Sequence, residues 1–554
     1  MNEQIQLQPH RFPRITVIGT GLLVLAGILL PVGVRTLHDW FRLDPAYPLV
    51  LSMAFFMLAF AWWVVWIVTQ RRWRWRGTLI ALALLLAVPL GGLILFRPVL
   101  GGDLELVGWE WRFADRSIQF QTIASPSGGA NRLSVSTRWD FPEFLGVQRR
   151  GVVSGVELNP DWATHQPELL WKIKVGDGWS GVAAVNRCLV TLEQRGDQEC
   201  VTCYSLDDSE LLWIYSHTAR HEDSMGMGKV GPRSTPTIFD GHVFAMGATG
   251  ILVCLDGTDG TLVWKRDICD LLGITRKSGV NLRGFRYEEE PTLSWGRAAS
   301  PLIVGDLVIV PGGGNVDGPK TTLLALDRRS GDEIWRDGDE MIAYGSPSLA
   351  TIGGVPQVLL VGESSAMGFS PTTGDLLWRV SRPGSSTGSA NCSQVTVVSD
   401  YHLLLTKGYN LGGELIAVEW ENEAWKPETI WKSHRVLTTK LTSPVVYDGH
   451  AYGLSDGFLE CVRLDEGVLT WKQRGRFGHG QLLLVDGLLL VHSQDGRMTL
   501  VRATPHKYEP LGEINTIHGV CWNTFCLYGP YLIVRSDLEM ACFLLPVMSQ
   551  TSPQ

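Results

Sequence analysis

The stretch Leu255-Asp256-Gly257-Thr258-Asp259-Gly260-Thr261-Leu262-Val263-Trp264 decides the fold, because its parts recur down the chain. They return at Leu326-Asp327 with Gly331 and Trp335, at Pro371 to Gly374 with Trp378, and at Leu464-Asp465 with Gly467 and Trp471. A worn copy is Leu206-Asp207 with Trp213. A repeat of about 40 residues with strand signals marks a blade array, in which small sheets bury their faces against copies of themselves. A small residue and a Pro open four of the units, at Thr235-Pro236, Ser300-Pro301, Ser346-Pro347 and Ser443-Pro444. Proline is tolerated there because the first residue of a strand needs no ladder donor. Turns follow at Asp240-Gly241, Gly305-Asp306, Asp448-Gly449 and Asp486-Gly487. An Asp-Gly between apolar runs is a hairpin signal, since both central residues must take positive φ. A third run ends at Leu-Asp and a fourth at Trp, which makes four strands per unit.

Units end at Trp213, Trp264, Trp335, Trp378, Trp431 and Trp471. A seventh, degenerate unit runs from about Gly478 to Leu511. An eighth, from Cys521 to Pro546, has material for only three strands. Leu169 to Val175 carries Trp171 in a fourth-strand context, so it is expected to complete the last blade and close the ring, leaving no free sheet edge. The expectation is an all-β, eight-bladed β-propeller of four-stranded blades over residues 166–548, preceded by three transmembrane helices and a linker with short strands at 98–165. The seven Trp that end fourth strands (Trp171, Trp213, Trp264, Trp335, Trp378, Trp431 and Trp471) are expected to wedge between blades, each burying roughly 200 Å².

Residues 1–97 are of another kind. They hold nine Arg, no Lys and three acids, a net +6, while the remainder holds 39 basic and 53 acidic residues, a net −14. So acidic a domain lacks the cationic footprint of a nucleic-acid binder. Apolar stretches at 15–34, 48–69 and 78–96 contain no Asp, Glu, Lys or Arg, and each approaches the ~20 residues that span a bilayer core. Arg71, Arg72, Arg74 and Arg76 place the second loop in the cytoplasm under the positive-inside rule, and five nearby Trp suit the headgroup level. The expectation is therefore a multi-pass anchor in the bacterial inner membrane, with the N-terminus cytoplasmic and the propeller in the periplasm.

All ten Cys lie beyond residue 187. Cys203 and Cys461 occupy one recurrent strand position, which suits buried free thiols rather than a disulfide framework. Cys200-Val-Thr-Cys203 lacks the His of a haem-attachment motif and lies in a strand rather than at a helix start, so it reads as ordinary strand cysteine. His221-Glu222-Asp223 places three titratable groups in an inter-blade loop, with a metal or general-base role as one reading and a solvated loop as the other. Arg233 lies just before a first strand, Arg297 one position earlier in the next unit, and Lys440 before a later one. First strands line the channel of a propeller, so these cations are candidates to gather at one mouth and hold an anion. His479, His434 and His518 sit at other blade entrances. No paired zinc motif, phosphate loop or nucleophile elbow is present.

The repeat, cleanest at Leu324-Ala325-Leu326-Asp327 with Gly331 and Trp335, resembles that of the PQQ-like (quinoprotein-type) propeller family over about 165–546. Asp140 to Gly146, Gly231 to Pro236, Gly247 to Gly250 and Gly362 to Ser364 are similar to membrane-anchored members of planctomycete type. More distantly the chain is similar to BamB-type outer-membrane assembly scaffolds. The quinoprotein resemblance implies a possible PQQ with calcium and a Trp floor, for which Trp179 and Trp295 are the candidates. It also implies adjacent cysteines, which this chain lacks. The leading expectation is a non-catalytic, membrane-tethered propeller that binds a protein or peptide outside the cytoplasm and needs no cofactor. The alternative is a PQQ-dependent oxidoreductase of the membrane-bound dehydrogenase type.

Overall fold

The computed structural model describes residues 131–223, 230–281 and 284–548 (the side chain of Arg474 excepted). Before them it describes the helix Ala46–Thr69, the strands Phe96–Leu100 and Leu106–Trp111, and scattered positions. The chain divides into two units, Met1–Ser117 and Ile118–Gln554. In the first, Ala46–Thr69 is a 24-residue helix with neither acid nor base, coincident with the second apolar stretch. Its side chains are described only over 54–65, and among the described residues no helix is long and apolar enough to cross a membrane. The stretches at 15–34 and 78–96 lie largely outside the described residues.

The second unit is the propeller. Blades 1 to 7 cover 183–218, 237–267, 302–337, 348–381, 396–433, 445–476 and 481–515, each an antiparallel meander running outward from its first strand. Blade 8 takes three strands from 526–544 and its fourth, Glu168–Lys174, from the far end of the sequence, in a register that sets Cys542 opposite Trp171. The ring is thus closed by the strand expected to close it. The expected hairpin turns are also present: Asp240, Asp448 and Asp486 and the glycines after them all have positive φ.

A feature not visible in the repeat is common to all eight blades. The pairing of third and fourth strands slips by one residue at the same place, from Cys203/Tyr204 in blade 1 to Cys542/Phe543 in blade 8. Such a bulge bends the strand and re-aims the side chain beside it. That side chain is the blade Trp in seven of the eight. Six of these indoles donate Nε1–H to a carbonyl in the next blade's outer turn: Trp213 to Gly257 at 3.1 Å, Trp264 to Arg328 at 2.9 Å, Trp335 to Pro371 at 3.2 Å, Trp431 to Leu464 at 2.6 Å, Trp471 to Thr504 at 2.8 Å and Trp171 to Leu206 at 2.8 Å. At four of these six junctions a turn glycine of the recipient blade (Gly260, Gly331, Gly374 or Gly467) lies against the ring. A Cβ on Gly374 would stand 2.5 Å from Trp335.

Two interfaces differ. Trp378 of blade 4 donates within its own blade, to Gln357 at 2.7 Å. Blade 7 has no Trp, and Trp162 from the segment before the ring is buried against Gly512 instead. That segment underlies the propeller from residue 131 on. Phe141 pairs with Ala184, Val152–Val153 adds a parallel strand to the first strand of blade 7, and Leu158 pairs with Val547. Its tip carries Arg149 into the channel. The guanidinium is 1% exposed; it bonds Ser300 O at 3.1 Å, Pro347 O at 2.8 Å and Pro301 O, and its Nε meets Glu143 at 2.7 Å. A buried charge persists only when so paired.

Candidate functional site

The first strands open at the channel with a belt of small polar side chains that couple neighbouring blades. Thr235 N donates to Ser300 Oγ, Ser300 N to Ser346 Oγ (both 2.9 Å), and Gln394 N to Ser443 Oγ at 3.1 Å. This belt gives the blades a common register. Two residues before it stand Trp179, Arg233, Tyr344 and Trp522. Three residues before it stand Arg297, Asn391 and Lys440. In extended chain, alternate side chains face opposite ways, so the one-residue offset sends the two groups to different places.

The first group forms an arc over blades 8 to 4. Trp522 and Trp179 stack at 4.9 Å, the Arg233 guanidinium lies 5.0 Å from the Trp179 ring, and Arg233 Nε donates to Trp295 O at 2.6 Å. Trp295 meets the buried Tyr344 ring at 5.5 Å. Trp179 Nε1 is committed to Val520 O at 2.9 Å. Burial pushes Arg233 down to about 10, against the pull of Asp223, and it stays charged at neutral pH.

Arg297 and Lys440 take other positions. The buried Arg297 guanidinium grips Glu290 at 2.6 Å, Pro311 O at 2.9 Å and Gly312 O at 2.7 Å, tying the approach of blade 3 to its second strand. Asn391 instead ties the approach of blade 5 to blade 4, through Gly362 O and Glu363 O. Lys440 lies 5.1 Å from the Tyr409 ring, which Lys407 also approaches at 5.9 Å. Of the three cations named from sequence, only Arg233 joins the aromatic arc. Lys407 was not singled out at all; burial, then Arg382, pushes its ammonium down to about 8. The signal available was its place at the end of a second strand, beside the channel.

In the loop, His221 is buried beneath Gly296, and burial followed by Arg233 pushes its imidazole down to about 3, so it is neutral at pH 7. Glu222 pairs with Arg220 at 3.1 Å and Asn281 at 2.7 Å, while 224–229 lie outside the described residues. His479 is buried, and His434 Nδ1 donates to Asn410 O at 2.8 Å. Cys200 and Cys203 share one strand, Gln198–Ser205, and stand three residues apart on opposite faces. Burial pushes Cys200 up to about 12. All ten cysteines are unpaired.

Calcium demands six to eight oxygen ligands. Among the described residues no three His, Cys, Asp or Glu side chains come together as a metal site would require. The arc residues themselves are indoles, a phenol and a guanidinium. Trp179 is buried beside Trp522 and Arg233, and Tyr344 is buried against Trp295, so the ring surface left partly exposed in the arc is that of Trp295 and Trp522.

Comparison with known proteins agrees with this architecture. The outer membrane protein assembly factor BamB of Alkalilimnicola ehrlichii is 27% identical over 225 residues, 38% of this chain and 53% of that protein. The same factor from Moranella endobia is 24% identical over 282 residues, 48% of this chain and 64% of that one. The chain thus spans between half and two-thirds of the length of these curated relatives. The quinohemoprotein alcohol dehydrogenase of Comamonas testosteroni shares the fold, with a TM-score of 0.51 at 12% identity, covering 76% of this chain and 82% of that one. The family model described as outer membrane protein assembly factor BamB matches residues 163–473, more than half of the chain, and the chain belongs to that family.

Proposed function

We propose that this protein is a non-catalytic scaffold, tethered to the inner membrane by its N-terminal apolar stretches, that holds a propeller outside the cytoplasm to bind protein partners of envelope assembly. The observation that carries the reading is the family match over the blades, together with a channel filled from below by Arg149. A ring stoppered by its own chain presents faces and rims, which are surfaces for macromolecules. The three uncharged stretches and the Arg-rich second loop support the tether and its orientation.

The experiment uses the full chain in a bacterial host. A cysteine replacing the exposed Val280 should react with a membrane-impermeant maleimide in spheroplasts without lysis. A photocrosslinking residue at the same position should trap a discrete protein. Titration of the purified chain with PQQ and Ca2+ should leave the melting temperature unchanged. Saturable quinone binding with substrate-dependent dye reduction would instead establish the oxidoreductase reading.

A further inference from the structure

Blade 5 departs from its neighbours at its outer hairpin. The strands Gly412–Glu421 and Ala424–Ser433 are ten residues each and meet at the two-residue turn Asn422-Glu423, with φ of 50° and 62°. Pairing alternates two faces along this hairpin. Val418 opposite Pro427 and Trp420 opposite Trp425 form one, and Glu419 opposite Lys426 and Ala417 opposite Glu428 form the other. Trp425 is buried against blade 4, where a Cβ on Gly353 would lie 3.2 Å from its ring and 3.1 Å from Tyr401. Trp420, its cross-strand partner, is 58% exposed and meets Trp425 edge-on at 5.4 Å; Tyr401 is 45% exposed. Trp420 and Tyr401 thus hold two aromatic rings partly in water beside the Trp425 anchor.

The charge around it says what fits. Residues 419–428 hold four Glu and one Lys, and Asp400 precedes Tyr401. That Lys, Lys426, sits 3.6 Å from Glu421 with both groups about half exposed, a pair that neutralises little. We propose that this tip is a docking point for a cationic segment of a partner protein that carries Arg or Lys beside aliphatic residues. The exposed face of Trp420 takes a guanidinium or ammonium, and the surrounding carboxylates hold its charge. The same carboxylates repel an anionic lipid surface, and a second copy of the tip would set like charges together. The proposal rests on the scaffold reading and names a partner chemistry for one place on it.

The test is fluorescence anisotropy with a labelled ten-residue peptide of alternating Arg and Leu, added to the full chain in neutral detergent. Binding should weaken as salt rises. Trp420→Ala should weaken it roughly tenfold. The triple change Glu419→Gln, Glu421→Gln, Glu423→Gln should do the same and flatten the salt dependence. Both variants should melt as the parent does, since the altered groups are exposed. Equal binding of a Glu-Leu counterpart peptide, affinity unchanged in the variants, partition of the tip onto phosphatidylglycerol vesicles, or loss of a dimer on Trp420→Ala in sedimentation would each overturn the proposal. The photocrosslink from position 280 is independent of the tip: if it persists while the peptide results fail, only the tip proposal falls.

Discussion

The junction between blades 3 and 4 and the junction between blades 4 and 5 solve one packing problem in two ways. At the first, the Trp335 indole crosses to Pro371 O and rests on Gly374, which a φ of 82° and the closeness of the ring both reserve for glycine. At the second, Trp378 turns back to Gln357 of its own blade, and blade 5 has no glycine turn to receive it. Trp425, from the lengthened hairpin, fills the space beside Ile352 and Trp378. The cradle holds a ring together with minimal sequence, but it requires a short tight turn. Where the turn grows into a projecting hairpin, the donor finds a partner at home and the hairpin supplies the apolar wedge.

The comparison is broken most directly at Trp335. Trp335→Ala should cost about 3–5 kcal/mol in denaturant unfolding, the range for removing a large buried aromatic; a loss under about 1 kcal/mol would show that the cradle does not hold blades 3 and 4. The next junction adds a pH term. Burial lifts the Glu460 carboxyl to about 7, against the pull of Lys472, so the folded protein keeps this proton more tightly than the unfolded chain. Its contribution is full below about pH 4.5 and lost as pH rises through 7. Glu460→Gln should therefore raise stability at pH 8 by up to about 3 kcal/mol and change nothing below pH 4.5, read as melting temperature against pH. Gly374→Ala should cost about 2 kcal/mol, from strain at positive φ and contact with the ring, whereas Glu423→Ala at the exposed blade 5 turn should stay within about 0.5 kcal/mol. Gln357→Leu, which leaves the Trp378 N–H without its acceptor, should fall between these two at a cost of about 1 kcal/mol. Equal responses from Gly374 and Glu423 would mean that the two junctions do not differ in kind.

The repeat made the ring legible, down to the strand that closes it, because glycine, aspartate and tryptophan are each tied to local geometry that most blades repeat. What the sequence did not disclose is what occurs once. Arg149 and Trp162 act far from their own neighbours, at carbonyls and a glycine that only folding brings near. The candidate site was half legible for the same reason. Arg233, Arg297 and Lys440 are one residue out of step, and a single step in an extended chain decides whether a cation joins the aromatic arc or braces a seam. The Trp179–Trp522 contact joins neighbouring blades whose residues lie far apart in the sequence, and no spacing in the sequence announces it.

The closing strand has a consequence for biosynthesis. Glu168–Lys174 leaves the ribosome long before its partner Glu539–Leu544, with the whole of blades 1 to 7 made in between. Between those two moments the nascent chain carries two unmated sheet borders, one at each end of a growing arc, and both are competent to join foreign strands. The hazard peaks when seven blades stand and the eighth is unfinished. A newborn molecule of this kind needs the first of these strands shielded until its partner arrives.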